Sequence, residues 1–339
     1  MSLRFGLVVD FRNPPARHTA PTGLYRQLLD QVVLAEQLGL DDVWLSEHHF
    51  TDDGYNPSVM AAAAAIAART ERVRIGTFVL ILPFHHPLRV AEDAAFVDVL
   101  SGGRFDLGVG QGYTHEEFRV LGLDRSTRAA RLEEGVELVR RLWTEPEVTF
   151  EGRFTRLEGA RLEPKPVQQP HPPIWIGARG PKAIDRVARL GANLLTTLGP
   201  DPAPAYLEAL ARHGRAPTTS IGQLRLMYCA PTAEEAWDDV SGPLHLSMQY
   251  YGEVMAEAGD VPGDDRLWPF TDPADIRSSG LARAALIGTP DQVRDRLERL
   301  LERLQVTHLI LAVQLPGLPV ERANASLELF AREVMPAFA

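Results

Sequence analysis

Glu47, His48 and His49 stand side by side in the stretch Trp44-Leu45-Ser46-Glu47-His48-His49-Phe50-Thr51, directly after a short apolar run. A carboxylate beside two imidazoles can hold and move protons near neutral pH. Partly buried ionisable groups cost several kcal/mol unless partnered, so apolar strands avoid them. Their place at the end of such a run points to chemistry, with a hydrogen-bonded loop pair as the plain structural alternative. Further on lie Pro83-Phe84-His85-His86 and two glycine-containing turns, Gly108-Val109-Gly110-Gln111-Gly112 and Ile176-Gly177-Ala178-Arg179-Gly180-Pro181-Lys182.

His48, His49, His85 and His86 raise the question of a metal. No His-x-His lies near the first strand, where Asp10 is the only acid. Adjacent histidines in an extended segment point to opposite sides, so each pair offers one ligand at best. No metal is expected. No Gly-x-Ser-x-Gly elbow is present, and the single cysteine, Cys229, has no evident base. One cysteine also excludes an internal disulfide and a cysteine zinc cage. Residues 176–182 read as strand, glycine turn and helix start. Unpaired N–H groups and the positive dipole end there favour a phosphate, and Arg179 could add a bidentate contact. A plain strand-to-helix turn looks the same. The glycines of 108–112 let backbone approach a flat ligand closely, or simply close a tight turn.

What positions these residues is a regular alternation of elements. Strands are expected at 3–9, 42–45, 74–80, 105–109, 174–176, 193–196, 223–229 and 308–312. Helical spacing marks 24–38, 57–69, 87–100, 127–143, 181–190, 202–213, 233–251, 290–304 and 321–335. Strands that alternate with helices pair in parallel, because a parallel pair needs a crossover. Eight such units predict a closed (β/α)₈ TIM barrel, as one domain over residues 1–339. An open doubly wound sheet is the rival, but Val9-Asp10-Phe11-Arg12-Asn13 lacks the glycines of a dinucleotide fingerprint. Insertions at 147–173 and 252–285 follow strands four and seven. The first contains a hairpin around Glu151-Gly152, and the second, with Trp268 and Phe270, is expected to be a lid. In such a barrel the site lies at the carboxyl ends of the strands, where the residues singled out above all fall.

The chain has 339 residues, is 45% hydrophobic and carries a formal charge of −10, ample for a large core and unsuited to a nucleic-acid partner. No apolar run approaches a membrane span and no signal segment stands at the start, so a cytoplasmic protein without membrane attachment is expected.

The stretch Val43 to Thr51, with Gly54, Asn56 and Pro57, resembles the second-strand signature of the bacterial luciferase-like, flavin-dependent oxidoreductase superfamily. Gly76-Thr77, Leu82-Pro83, His86-Pro87, Arg89-x-Ala91-Glu92-Asp93, Ser101-Gly102-Gly103-Arg104-Phe105, Gly108-x-Gly110-x-Gly112, Glu117-Phe118, Arg128 and Gly288-Thr289-Pro290 extend the resemblance along the chain. The resemblance implies a TIM barrel that forms a homodimer and binds reduced FMN, or in some branches the deazaflavin coenzyme F-420. In the FMN branches a separate flavin reductase delivers the cofactor, and dioxygen and a small-molecule substrate follow. His48 matches the family's catalytic histidine, which stabilises an oxygen adduct of the flavin or moves a proton to it. Glu47 would fix its orientation, while His49 points away. Thr77 and Phe78 would lie under the flavin ring, with a non-proline cis bond at Phe78–Val79. Gly110, Gln111 and Gly112 would approach the cofactor, and Ala178, Arg179 and Gly180 would hold its phosphate. Gly110 and Gln111 stand where the luciferase catalytic subunit has a reactive cysteine and an arginine, which argues against light emission. A deazaflavin-dependent hydride-transfer enzyme is the first alternative. A non-catalytic flavin-binding subunit is the second, and retention of His48 argues against it.

Overall fold

The computed structural model describes residues 3–15, 19–216, 220–258 and 272–338. Eight parallel strands close into a ring: β1 (Arg4–Val9), β2 (Asp42–Leu45), β3 (Arg74–Thr77), β4 (Phe105–Gly110), β5 (Ile174–Gly177), β6 (Asn193–Thr196), β7 (Ile221–Cys229) and β8 (His308–Ala312). Each pairs with the next in sequence, and β8 returns to β1 with Arg4 opposite His308 and Leu7 opposite Leu311. The TIM barrel is therefore present, with all eight strands where alternation placed them, except that β3 ends at Thr77 and not at residue 80. Such strands are covered by helices outside and by packed side chains inside, so they read as unbroken apolar runs. All residues of β2, β4 and β8 are buried.

The surrounding helices start where the sequence supplies a suitable first turn. Pro21, Pro87, Pro181 and Pro290 occupy first-turn positions, where a missing N–H costs nothing. Thr289 and Gln292 form a reciprocal capping box. The helix Pro21–Gln37 begins three residues before the apolar spacing indicates, because Pro21 opens it. The helix Ala233–Ala258 continues past residue 251 and carries Pro243 internally.

The amino-terminal ends of the strands hold a buried polar plug. The Trp44 indole N–H donates to Asp42 Oδ1 at 2.5 Å, and the Trp175 indole N–H donates to Asp106 Oδ1 at 3.2 Å. The Arg74 guanidinium meets Asp106 Oδ2 at 2.6 Å. Burial pushes the Asp42 carboxyl up to about 7, against the opposing pull of the Trp44 hydrogen bond and Arg4. It pushes the His308 imidazole down to about 3.

Of the two insertions, the first contains an antiparallel hairpin, Val148–Glu151 with Arg156–Ala160. Glu134 accepts the N–H groups of Arg153 and Phe154 at its turn and fixes it to the outer helix Arg128–Thr144. The second insertion begins as the end of the helix Ala233–Ala258 and ends as two short helices, Pro273–Ile276 and Gly280–Ala284. Trp268 and Phe270, on which the lid expectation rests, lie outside the described residues. Among the described residues, no helix is long and apolar enough to cross a membrane.

Candidate active site

A cavity of about 460 Å³ opens at the carboxyl ends of the strands. Its floor is apolar, formed by Phe78, Val79, Ile176, Leu195, Leu226 and Ala312. The Phe78–Val79 peptide is cis. Gly110 is required here, because a Cβ at that position would come within 2.4 Å of the Val79 side chain. Asp10, Ser46, Glu47, His48, Tyr55, Tyr113 and Tyr251 line one wall, and Gln111, Ala178, Arg179 and Arg186 line the other.

His48 is the centre of the first wall. Its Nδ1 faces Glu117 Oε1 at 3.0 Å, and that same oxygen accepts the His49 backbone N–H at 2.8 Å. A carboxylate oxygen that already accepts one N–H is an acceptor for the imidazole too, so the ring hydrogen sits on Nδ1. The Nε2 lone pair then faces the Tyr113 hydroxyl at 3.0 Å. Rings of Tyr55, Tyr113, Tyr250 and Tyr251 meet the imidazole edge-on, with centroids 4.8 to 6.5 Å away. Beyond them Arg12 lies 5.0 to 5.7 Å over three of these tyrosines, paired with Asp53 at 2.5 Å and donating to Ser247. Burial holds the hydroxyls of Tyr55 and Tyr113 well above the ordinary phenol range, so both stay neutral donors.

Glu47 does not orient His48, contrary to the expectation from sequence. Successive side chains alternate in direction, and Glu47 turns from the imidazole toward the segment after β3. The Ile81 N–H donates to its Oε2, while His85 Nε2 at 2.8 Å and His49 Nε2 at 3.2 Å both face Oε1. Burial alone would raise its pKa, but the hydrogen bonds from His49, His85 and Ile81 outweigh that and hold it at about 2. Glu47, His49 and His85 are close enough together to bracket a cation. With the carboxylate ionised, the two imidazole N–H groups and one backbone N–H satisfy it as a clamp without one.

Thr77 is also displaced from its expected role. It does not line the cavity: its hydroxyl donates to Gly108 O at 2.6 Å and accepts the Gly108 N–H at 2.9 Å, joining β3 to β4. Gly112, Ala178 and Phe78 do line the cavity. Gly180 caps the helix Pro181–Leu190 at a φ of 74°, a backbone conformation that favours glycine. Beside it the Arg179 guanidinium donates to the Thr197 hydroxyl at 2.9 Å. Arg186 extends from the first turns of that helix, bonded to Glu133 at 2.7 Å and to Gln111 at 3.5 Å. Cys229 is buried, with its thiol pushed up to about 12, and is no nucleophile.

Tyr113, Glu117, Arg186, Tyr250, Tyr251 and Arg12 are site residues to which the sequence assigned no role. A recoverable signal existed for two of them: Glu117 belonged to a recognised motif, and Tyr113 directly follows the glycine turn.

A closed barrel with an apolar-floored mouth, a histidine on one wall and Arg179 and Arg186 across from it defines the class of TIM-barrel enzymes whose site lies at the carboxyl ends of the strands. The chain belongs to the luciferase-like monooxygenase family, whose model matches residues 3–308. It is 28% identical over 354 aligned residues to the oxygenase component of a flavin-dependent trigonelline monooxygenase from Acinetobacter baylyi, covering 99% of this chain and 96% of that protein. Monooxygenase RslO1 from Streptomyces bottropensis superposes with a TM-score of 0.86 at 29% identity, covering 99% of this chain and 100% of that one. An F420-dependent glucose-6-phosphate dehydrogenase from Microbacterium testaceum is 38% identical over 203 residues, covering 56% of this chain and 60% of that protein. The flavin-dependent oxidoreductase class expected from the sequence is thus the class of its relatives.

Proposed function

We propose that this protein is the oxygenase component of a two-component monooxygenase that uses reduced FMN and dioxygen to oxidise a small organic substrate. The observation that carries the reading is the cavity itself: His48, tied at both nitrogens, faces an apolar floor whose far wall holds Arg179 and Arg186. The residues fit the group. The apolar floor suits an isoalloxazine, and the Arg179–Gly180 turn at the start of the helix Pro181–Leu190 offers a helix N-terminus and a guanidinium to a phosphate, the Ala178 N–H being bonded to Leu195 O. Bound in reduced form, FMN supplies the electrons that activate dioxygen. The apolar floor and the tyrosine rings limit water, and His48 holds or moves a proton beside the reacting oxygen. Glu117 keeps the imidazole in one tautomer and one orientation. A separate flavin reductase would deliver the cofactor, in keeping with a full-length relative that is itself one component of a system.

A second reading, hydride transfer with a deazaflavin, is favoured by the higher identity to the F420-dependent relative, although that match spans little more than half of the chain. Turnover separates the two. The protein supplied with reduced FMN and oxygen should consume oxygen in proportion to product, and the protein supplied with deazaflavin should show no substrate-dependent reduction. Product formed only with deazaflavin would reverse the assignment. A homodimer in the cytoplasm is part of the proposal. Phe96, Val99 and Leu100 are exposed on the helix Pro87–Leu100, which packs beside the alanine-rich helix Val59–Ala67. Sedimentation should show twice the 37.4 kDa chain mass at micromolar concentration, and the single-chain mass alone would refute the dimer.

A further inference from the structure

His48 has no nitrogen free to meet a ligand. Nδ1 is committed to Glu117 and Nε2 to Tyr113, each at 3.0 Å, and the imidazole is closed in by tyrosine rings on its flanks. Of the two side chains bonded to His48, Tyr113 lines the cavity and its hydroxyl keeps lone pairs unused by the network, whereas Glu117 does not line it. Glu117, His48 and Tyr113 therefore form a line of carboxylate, imidazole and hydroxyl. We propose that Tyr113 is the catalytic residue that exchanges the proton with the cavity, and that His48 acts through it as the proton store.

The transfer balances without any charged phenol. In the resting state Nδ1–H donates to Glu117 and the Tyr113 O–H donates to Nε2. When an acid in the cavity gives up a proton, Tyr113 Oη takes it while the phenol's own proton crosses to Nε2. The phenol is restored, and His48 becomes an imidazolium facing the Glu117 carboxylate. In reverse, the Nε2 proton moves to Oη as the phenol proton passes to an oxygen in the cavity. Only O–H and N–H bonds form and break. This rests on the proposed monooxygenase reading for its use: the flavin anion, dioxygen, substrate and one proton give oxidised flavin, oxygenated product and water, and the relay supplies that proton. Burial keeps the phenol protonated before and after each transfer. Glu117 is a positioning residue, since it touches His48 alone in this line.

Two measurements decide the matter. The first needs no cofactor: ¹⁵N-histidine spectra of the flavin-free protein, with His48 assigned by its loss in His48→Gln. In the neutral imidazole the expected tautomer carries hydrogen on Nδ1 and a bare Nε2. Hydrogen on Nε2 instead would overturn the relay. The second is Tyr113→Phe, which keeps the ring and removes the hydroxyl. Turnover should fall on the order of 100-fold, the low end for a lost acid–base group. KM and FMN affinity should stay within about twofold, and the two-proton solvent isotope effect of the wild type should reduce to one. A kcat within about threefold of wild type with an unchanged isotope effect would show that Tyr113 only packs. If the wild type turns over with neither coenzyme, the functional reading fails, and the tautomer result still decides the relay.

Discussion

The two ends of the barrel both bury charged groups, and they do so to opposite effect. At the amino-terminal end Asp42, Asp106, Arg74 and His308 are packed among Trp44 and Trp175, away from the cavity. At the carboxyl end Glu47, Glu117 and His48 are as buried, but each is held by several hydrogen bonds and His48 and Glu47 line an open cavity. The consequence is visible in two carboxylates of one strand and its exit. Asp42 is pushed up to about 7, with Oδ2 lacking a hydrogen-bond partner, whereas Glu47 is held at about 2 by three donors. Burial alone does not make a functional group; what differs is whether donors organise the charge and whether ligands can reach it.

That contrast is broken or sharpened by substitution. The largest effect belongs to His48. His48→Ala should lower turnover on the order of 100- to 1000-fold while leaving FMN affinity nearly unchanged, measured by steady-state kinetics beside a flavin titration. Turnover near wild type would remove the rim's central residue.

Next come opposite responses to pH. Asp42 has a folded pKa above its unfolded value near 4, so its contribution to stability is full below pH 4 and is lost as pH rises through about 7. Asp42→Asn should therefore gain stability relative to wild type, by several kcal/mol on the scale of about 1.4 kcal/mol per pKa unit, as pH goes from 4 to 8. Glu47 has a depressed pKa, so its contribution is present above about pH 4.5 and is lost as pH falls toward 2. Glu47→Gln should be destabilised by roughly 3 kcal/mol at neutral pH, with the difference shrinking in acid. Urea unfolding at a series of pH values checks both, and parallel profiles for the two variants would contradict the contrast.

The smallest effect lies at the far wall. Arg179→Ala should weaken FMN binding about tenfold through loss of one charge-assisted contact, with kcat at saturating flavin little changed. Unchanged affinity would place the phosphate elsewhere.

Much of the barrel could be read from the chain because its cause is local. Apolar runs at 42–45, 74–80 and 105–109, with helical spacing between them, report burial that each segment experiences on its own. The proton network was legible only in part, since its partners are set by closure of the ring. Glu117 lies 69 residues from His48, on the short helix His115–Val120, which has no apolar period to mark it. Tyr251 reaches Tyr55 across 196 residues, and Ser247 reaches Arg12 across 235. The expectation that Glu47 orients its neighbour failed for the same reason. Adjacency in sequence placed them together, while strand alternation sent their side chains apart.

The central claim is that the mouth of this barrel seats reduced FMN beside the His48 network. An anaerobic titration of the protein with reduced FMN, followed by absorbance, tests it most directly. Saturation at one equivalent per chain, weakened by Arg179→Ala and indifferent to His48→Ala, is the predicted result. Failure of reduced FMN to bind saturably would contradict it.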